Sequence, residues 1–73
     1  MPIFFSDHAK LQLRRRKITQ RLVLETIRNP VSQSSSFKNR KLRRRRFGDK
    51  ILEVATKTEG PRIIVITGYY LKK

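Results

Sequence analysis

The chain contains no cysteine. Neither a disulfide nor a thiolate metal site can therefore staple the fold. Histidine occurs once, as His8, so a Cys/His zinc set is excluded as well. Acids are scarce: five Asp and Glu in all, with no carboxylate cluster to hold magnesium and no glycine-rich phosphate loop beside them. No apolar run approaches the length that spans a bilayer. Met1 to His8 has neither a basic segment nor a long apolar stretch, so no signal peptide is expected. There are no internal repeats. What is left is one domain of 73 residues, 37% hydrophobic, with a thin core and modest stability of a few kcal/mol.

What the chain has in excess is positive charge. Nineteen Lys and Arg give a formal net charge of +14 and a pI near 11.6. Self-repulsion of this size destabilises a lone compact domain and attracts anionic partners. The charge is also clustered. Lys10, Arg14, Arg15, Arg16, Lys17 and Arg21 fall in one acid-free run, and Lys38, Arg40, Lys41, Arg43, Arg44, Arg45 and Arg46 in another. Clustering favours RNA over a membrane surface, and the absence of cysteine suits a cytoplasmic location.

Local signals predict two short helices followed by strands. Pro2 to Phe5 is apolar and β-prone. Ser6 has the character of an N-cap and Asp7 sits where the helix dipole favours an acid, predicting a helix from Asp7 to Arg16. Thr19 opens a second helix that stops at Asn29-Pro30, since a residue before proline avoids the α region. Val31 to Ser36 is serine-rich, lacks periodicity and reads as a linker. Strand character begins at Phe37. The basic stretch 38–47 meets Ile51 to Thr56 across Gly48-Asp49, and a two-residue loop there places Arg44 opposite Glu53. A turn at Thr58 to Pro61 leads to a last strand, Arg62 to Tyr70, whose run Ile63 to Ile66 predicts a strand covered on both faces. Five of the six residues before Phe47 are Lys or Arg, which predicts an edge strand there. The expected fold class is α+β: two N-terminal helices packed on a three- to four-stranded antiparallel sheet.

Phe4-Phe5-Ser6-Asp7-His8-Ala9, the connection Arg16-Lys17-Ile18-Thr19, and the terminal Ile64-Val65-Ile66-Thr67-Gly68-Tyr69-Tyr70 carry a resemblance. The chain resembles small domains with a Ser-x-His-Ala helix start and a Val-Thr-x-Tyr terminal strand, related to the RelE/ParE-like toxins of toxin–antitoxin systems. It departs from their pattern at Gln12, where arginine is common, and at Lys17, where glycine is common. The resemblance implies a RelE/ParE-like fold, an mRNA endoribonuclease activity in some relatives, and an acidic antitoxin partner.

Metal-independent RNA cleavage needs a base for the 2′-hydroxyl, cations for the phosphorane and an acid for the leaving oxygen. His8 is a candidate base, or else a helix-start residue packing on Phe4. Arg16 is a candidate phosphate ligand at the reacting centre. Tyr69 and Tyr70 are neighbours on a strand and must point to opposite faces, one into the core and one free to stack on a base or donate a proton. Lys10, Arg14, Arg15, Lys17, Lys41 and Arg43 to Arg46 are the candidate RNA-binding residues. Asp49 and Glu53 read as charge partners. No cofactor or metal is expected. Three functions fit: a toxin-type endoribonuclease, a non-catalytic RNA- or ribosome-binding module, and a toxin-like inhibitor of a protein target.

Overall fold

In the computed structural model, which describes residues 2–36 and 38–71, the elements run β1 (Ile3–Phe5), α1 (Asp7–Arg15), α2 (Gln20–Arg28), β2 (Ser32–Ser35), β3 (Arg40–Phe47), β4 (Lys50–Glu59) and β5 (Arg62–Leu71). Phe37, where strand character was expected to begin, lies outside the described residues.

Both helices start at the caps their sequences provide. The Ser6 hydroxyl accepts from the Ala9 amide at 3.0 Å and the Thr19 hydroxyl from the Leu22 amide at 3.3 Å, each satisfying an otherwise orphaned donor. α1 ends in a Schellman arrangement: the Ile18 amide donates to the Leu13 carbonyl at 2.9 Å and Lys17 to Arg14 at 3.2 Å. Lys17 takes φ 57° to make this turn, a conformation glycine adopts without strain.

The sheet corrects the expected fold class. It has five strands rather than three or four, in the order β1-β5-β4-β3-β2, and it is mixed rather than antiparallel. β1 runs parallel to β5, with Ile3 opposite Ile63 and Phe5 opposite Val65. The chain leaves β1 directly into α1, which packs on β5; the Ser6 amide donates to the Val65 carbonyl at 3.3 Å. The fifth strand is the serine segment expected to be a linker. β2 pairs antiparallel with β3, Ser32 opposite Arg44 and Ser35 opposite Lys41. All four of its residues are exposed, so no hydrophobic alternation marks it. It forms because the outer backbone groups of β3 need partners. β3 is consequently an interior strand, which corrects the edge assignment.

The helices cover one face of the sheet. Ala9, Leu13, Ile18, Val23 and Ile27 close over Leu52, Val54, Ile63 and Val65. Each large apolar side chain fully buried there contributes about 1.5–3 kcal/mol. No described element covers the opposite face, so the double covering expected of Ile63 to Ile66 is corrected too: Ile63 and Val65 are buried, Ile64 and Ile66 only half-buried. β5 carries a bulge. Ala55 pairs with Thr67 and Thr56 with Val65, leaving Ile66 as the extra residue. The bulge resets the alternation, so that Gly68 and Tyr70 face the helices while Thr67 and Tyr69 face the open side. At Gly68 a Cβ would lie 3.0 Å from Leu13 Cδ2, so glycine permits the close approach of α1.

Candidate nucleic-acid interface on the uncovered sheet face

The β3–β4 hairpin sets the centre of the site. Gly48, at φ 64°, occupies the first position of a two-residue turn, which pairs Phe47 with Lys50 and so Arg44 with Glu53. This is the register anticipated from the loop length. Arg44 Nε lies 2.8 Å from Glu53 Oε1, and the carboxylate side chain is only 8% exposed against 27% for the arginine. On the other side of Glu53, the β4–β5 register places Tyr69. Hydrogen bonding to Glu53, then burial, then the Glu53 charge raise the Tyr69 hydroxyl above its ordinary pKa of 10, with Arg44 and Arg16 opposing. The phenol is therefore a neutral donor at physiological pH.

Arg16 joins this cluster from the helix layer. β1 stops opposite Val65, leaving the outer edge of β5 open beyond it. Through that gap one guanidinium nitrogen of Arg16 donates to the Gly68 carbonyl at 2.9 Å and to the Thr67 hydroxyl at 3.1 Å. The guanidinium carbon lies 5.9 Å from the Tyr69 ring centroid. Arg44 also donates to the Ser34 hydroxyl at 3.3 Å. The uncovered face thus gathers Arg16, Tyr69, Glu53 and Arg44. By the alternation of β3 and β5 it also carries Arg46 and Arg62, the latter 5.7 Å from the exposed ring of Phe4.

The other sequence candidates go elsewhere. Tyr70 packs against the core on the helix side, with Lys50 Nζ 5.1 Å from its ring centroid. The basic run of β3 is split by strand alternation. Arg43 and Arg45 point to the helix side, where they serve the fold: Arg45 donates to the Asn29 carbonyl at 2.7 Å, closing the end of α2, and Arg43 reaches the Thr56 hydroxyl at 3.5 Å. Burial lowers the Arg43 pKa. Arg46 is exposed and bends back to the Gly48 carbonyl at 2.9 Å. Lys41 is exposed near the far end of β3. Lys10, Arg14, Arg15 and Lys17 are exposed on α1 and at its C-terminal turn. His8 is exposed in the first turn of α1, which packs on β5, two strands away from β3. The structure does not bring it to the basic hairpin.

Sequence reasoning named Arg16, Arg44 and Tyr69 but assigned Glu53 only to charge pairing and passed over Phe4 and Arg62. The signal for Glu53 was the Arg44 register; what the sequence withheld was its burial. Chemically, the face offers guanidinium groups for phosphate, two aromatic rings beside cations for base stacking, and one carboxylate next to a phenol. Among the described residues no three His, Asp or Glu side chains gather as a metal site, and no helix is long and apolar enough to cross a membrane.

No curated protein and no solved structure matches this chain. A family model described as a domain of unknown function, DUF4258, matches residues 5–70. That span takes in both helices and the strands β2 to β5 up to Tyr70, with only Phe5 of β1, and the chain belongs to the DUF4258 family.

Proposed function

We propose that the chain is a cytoplasmic, toxin-type RNA-binding protein that contacts single-stranded RNA through its uncovered sheet face and cleaves it there. The observation that carries this reading is the assembly of Arg16, Tyr69, Glu53 and Arg44 on an otherwise open, basic surface. In the proposed reaction Glu53 takes the proton of the 2′-hydroxyl, whose oxygen attacks the adjacent phosphorus. Arg16 and Arg44 stabilise the phosphorane, and the neutral Tyr69 hydroxyl gives its proton to the departing 5′-oxygen, leaving a 2′,3′-cyclic phosphate. His8 has no part in this scheme. The ribosome is a natural source of the RNA, and an acidic antitoxin would relieve the self-repulsion of the free protein.

One feature favours a second reading. Glu53 is already held by Arg44, which suits a carboxylate that positions cations for RNA binding without cleavage.

A charge-matched comparison tests the interface. Replacing Arg16, Arg46 and Arg62 with serine removes three cations from the open face; replacing Lys10, Arg14 and Arg21 removes three from the helices. At about 0.7 counterions per single-strand phosphate contact, the first variant should flatten the log affinity against log salt slope by about 2 and weaken binding on the order of fiftyfold at 0.15 M salt. The helix variant should lose far less. Equal losses would mean that net charge alone binds RNA. Cleavage by the unmodified protein, read as a cyclic phosphate end, separates the nuclease from the binding module.

A further inference from the structure

The open face sets its polar groups in a line. Ser32 lies opposite Arg44, Arg44 opposite Glu53 and Glu53 opposite Tyr69, one residue from each of β2, β3, β4 and β5. Neighbouring strands lie about 4.8 Å apart, so this row crosses the sheet over roughly 14 Å. Arg16 stands at its β5 end, bonded to Gly68 and Thr67 and 5.9 Å from the Tyr69 ring centroid. At the other end β2 presents only hydroxyls. Alternation puts Ser32 and Ser34 on the open side and turns Gln33 and Ser35 to the helix side.

These serines have no packing role, since every residue of β2 is exposed. Nor does β2 carry the lysine or proline that commonly protects an edge strand, in a chain with nineteen Lys and Arg. Ser34 is nonetheless held in place. Its oxygen accepts from Arg44 Nη2 at 3.3 Å, so its own proton points away from the guanidinium. That proton has no acceptor among the described residues. Arg44 is fixed in turn between Ser34 and Glu53. A pinned guanidinium beside hydroxyl donors that lack acceptors is the chemistry of phosphate recognition.

We propose that Ser32, Ser34 and Arg44 bind a backbone phosphate on the 5′ side of the reacting bond, so that RNA crosses the sheet 5′ to 3′ from β2 to β5. The direction rests on the cleavage reading above. In that scheme Glu53 deprotonates the 2′-hydroxyl, which belongs to the nucleotide on the 5′ side. Tyr69 protonates the 5′-oxygen of the nucleotide on the 3′ side. The step from Glu53 to Tyr69 is therefore 5′ to 3′, and it leads away from β2. Spacing fits as well. Ser32 lies two strands from Glu53, about 10 Å. A stacked strand at about 3.4 Å per nucleotide covers that in about three nucleotides, and a stretched one in fewer. Arg44 stands between the reacting phosphate and the upstream one, and its forked donors can face both.

The test uses the whole chain and an uncleavable probe, a short 2′-O-methyl RNA carrying a nitroxide at one end. A 5′ label should broaden the amide resonances of Ser32 and Ser34 more than those of Arg16 and Gly68. A 3′ label should do the reverse. The double variant Ser32→Ala/Ser34→Ala should bind RNA about fivefold more weakly for each hydroxyl lost, the worth of a typical net hydrogen bond. Its salt slope should stay unchanged, because no cation is removed. The labelled probe on the unmodified chain keeps the test independent of how the variant folds. Reversed polarity, or full affinity in the double variant, would overturn the proposal. Failure of the underlying reading looks different. A probe that broadens Lys10, Arg14 and Arg21 on the helices and neither end of the row removes RNA from the open face, and the subsite with it. The expected polarity in a protein that leaves unmethylated RNA intact supports the subsite and overturns only the cleavage.

Discussion

Glu53→Gln isolates the charge at the centre of the account while keeping its shape. The residue is 6% exposed, ion-paired to Arg44 at 2.8 Å and opposite Tyr69 in the sheet. Hydrogen bonds to a charged group contribute about 1.5–3 kcal/mol and neutral ones about 0.5–1.5, so the contact with Arg44 loses roughly 1 kcal/mol. Arg44 is partly exposed and regains water, which discounts this figure. The loss is then about 0.5–1 kcal/mol. For a domain of this size, at about 4–8 °C per kcal/mol, Tm falls by roughly 2–8 °C. Thermal and urea unfolding measure this directly. The same substitution should leave RNA binding no weaker, because it removes a negative charge from a basic face. Cleavage should drop by about 10²–10⁴-fold, the contribution of a general base. A variant that cleaves at the original rate would remove Glu53 from the chemistry. Unchanged stability would show that its charge is not held as the structure describes.

Two further outcomes follow from backbone and titration. Lys17→Gly should stabilise the chain by about 0.5–1 kcal/mol in urea unfolding, since glycine accepts the left-handed φ of 57° without a Cβ clash and returns part of that gain as unfolded-state entropy. A destabilised variant would contradict the turn geometry. The raised Tyr69 pKa means that above pH 10 the unfolded chain releases a proton that the folded chain retains. The stability this contributes is complete below pH 10 and is lost as pH climbs through the folded pKa. Tyr69→Phe should flatten that alkaline decline relative to the unmodified protein, a comparison in which lysine titration cancels; identical alkaline profiles would refute the contact with Glu53.

The helices were legible because their signals are local: Ser6 and Thr19 cap, and Pro30 ends the second helix, whatever the rest of the chain does. The β3–β4 register was legible for the same reason, since a two-residue turn at Gly48-Asp49 fixes it. β2 was not, because neither face of Ser32–Ser35 is buried and only its pairing with β3 makes it a strand. The mixed sheet was hidden too, since nothing in Ile3–Phe5 states which strand it joins or in which direction. The bulge at Ile66 shaped the site most. It leaves Tyr69 on the open face and Tyr70 against the core, where sequence could say only that the two diverge. For the arginines, sequence showed the density of charge but not its division. Strand alternation sends Arg44 and Arg46 to the open face and commits Arg43 and Arg45 to the helix side.

The most direct test of the account maps bound RNA onto the protein. Backbone amide and aromatic resonances should be followed as a short single-stranded RNA is added at low salt. Contact through the uncovered face predicts the largest shifts at Arg44, Glu53, Thr67 and Tyr69 and at the ring of Phe4, with Lys10, Arg14 and Arg21 on the helices nearly unmoved. Shifts concentrated on α1 and α2, with Tyr69 and Phe4 unperturbed, would contradict it.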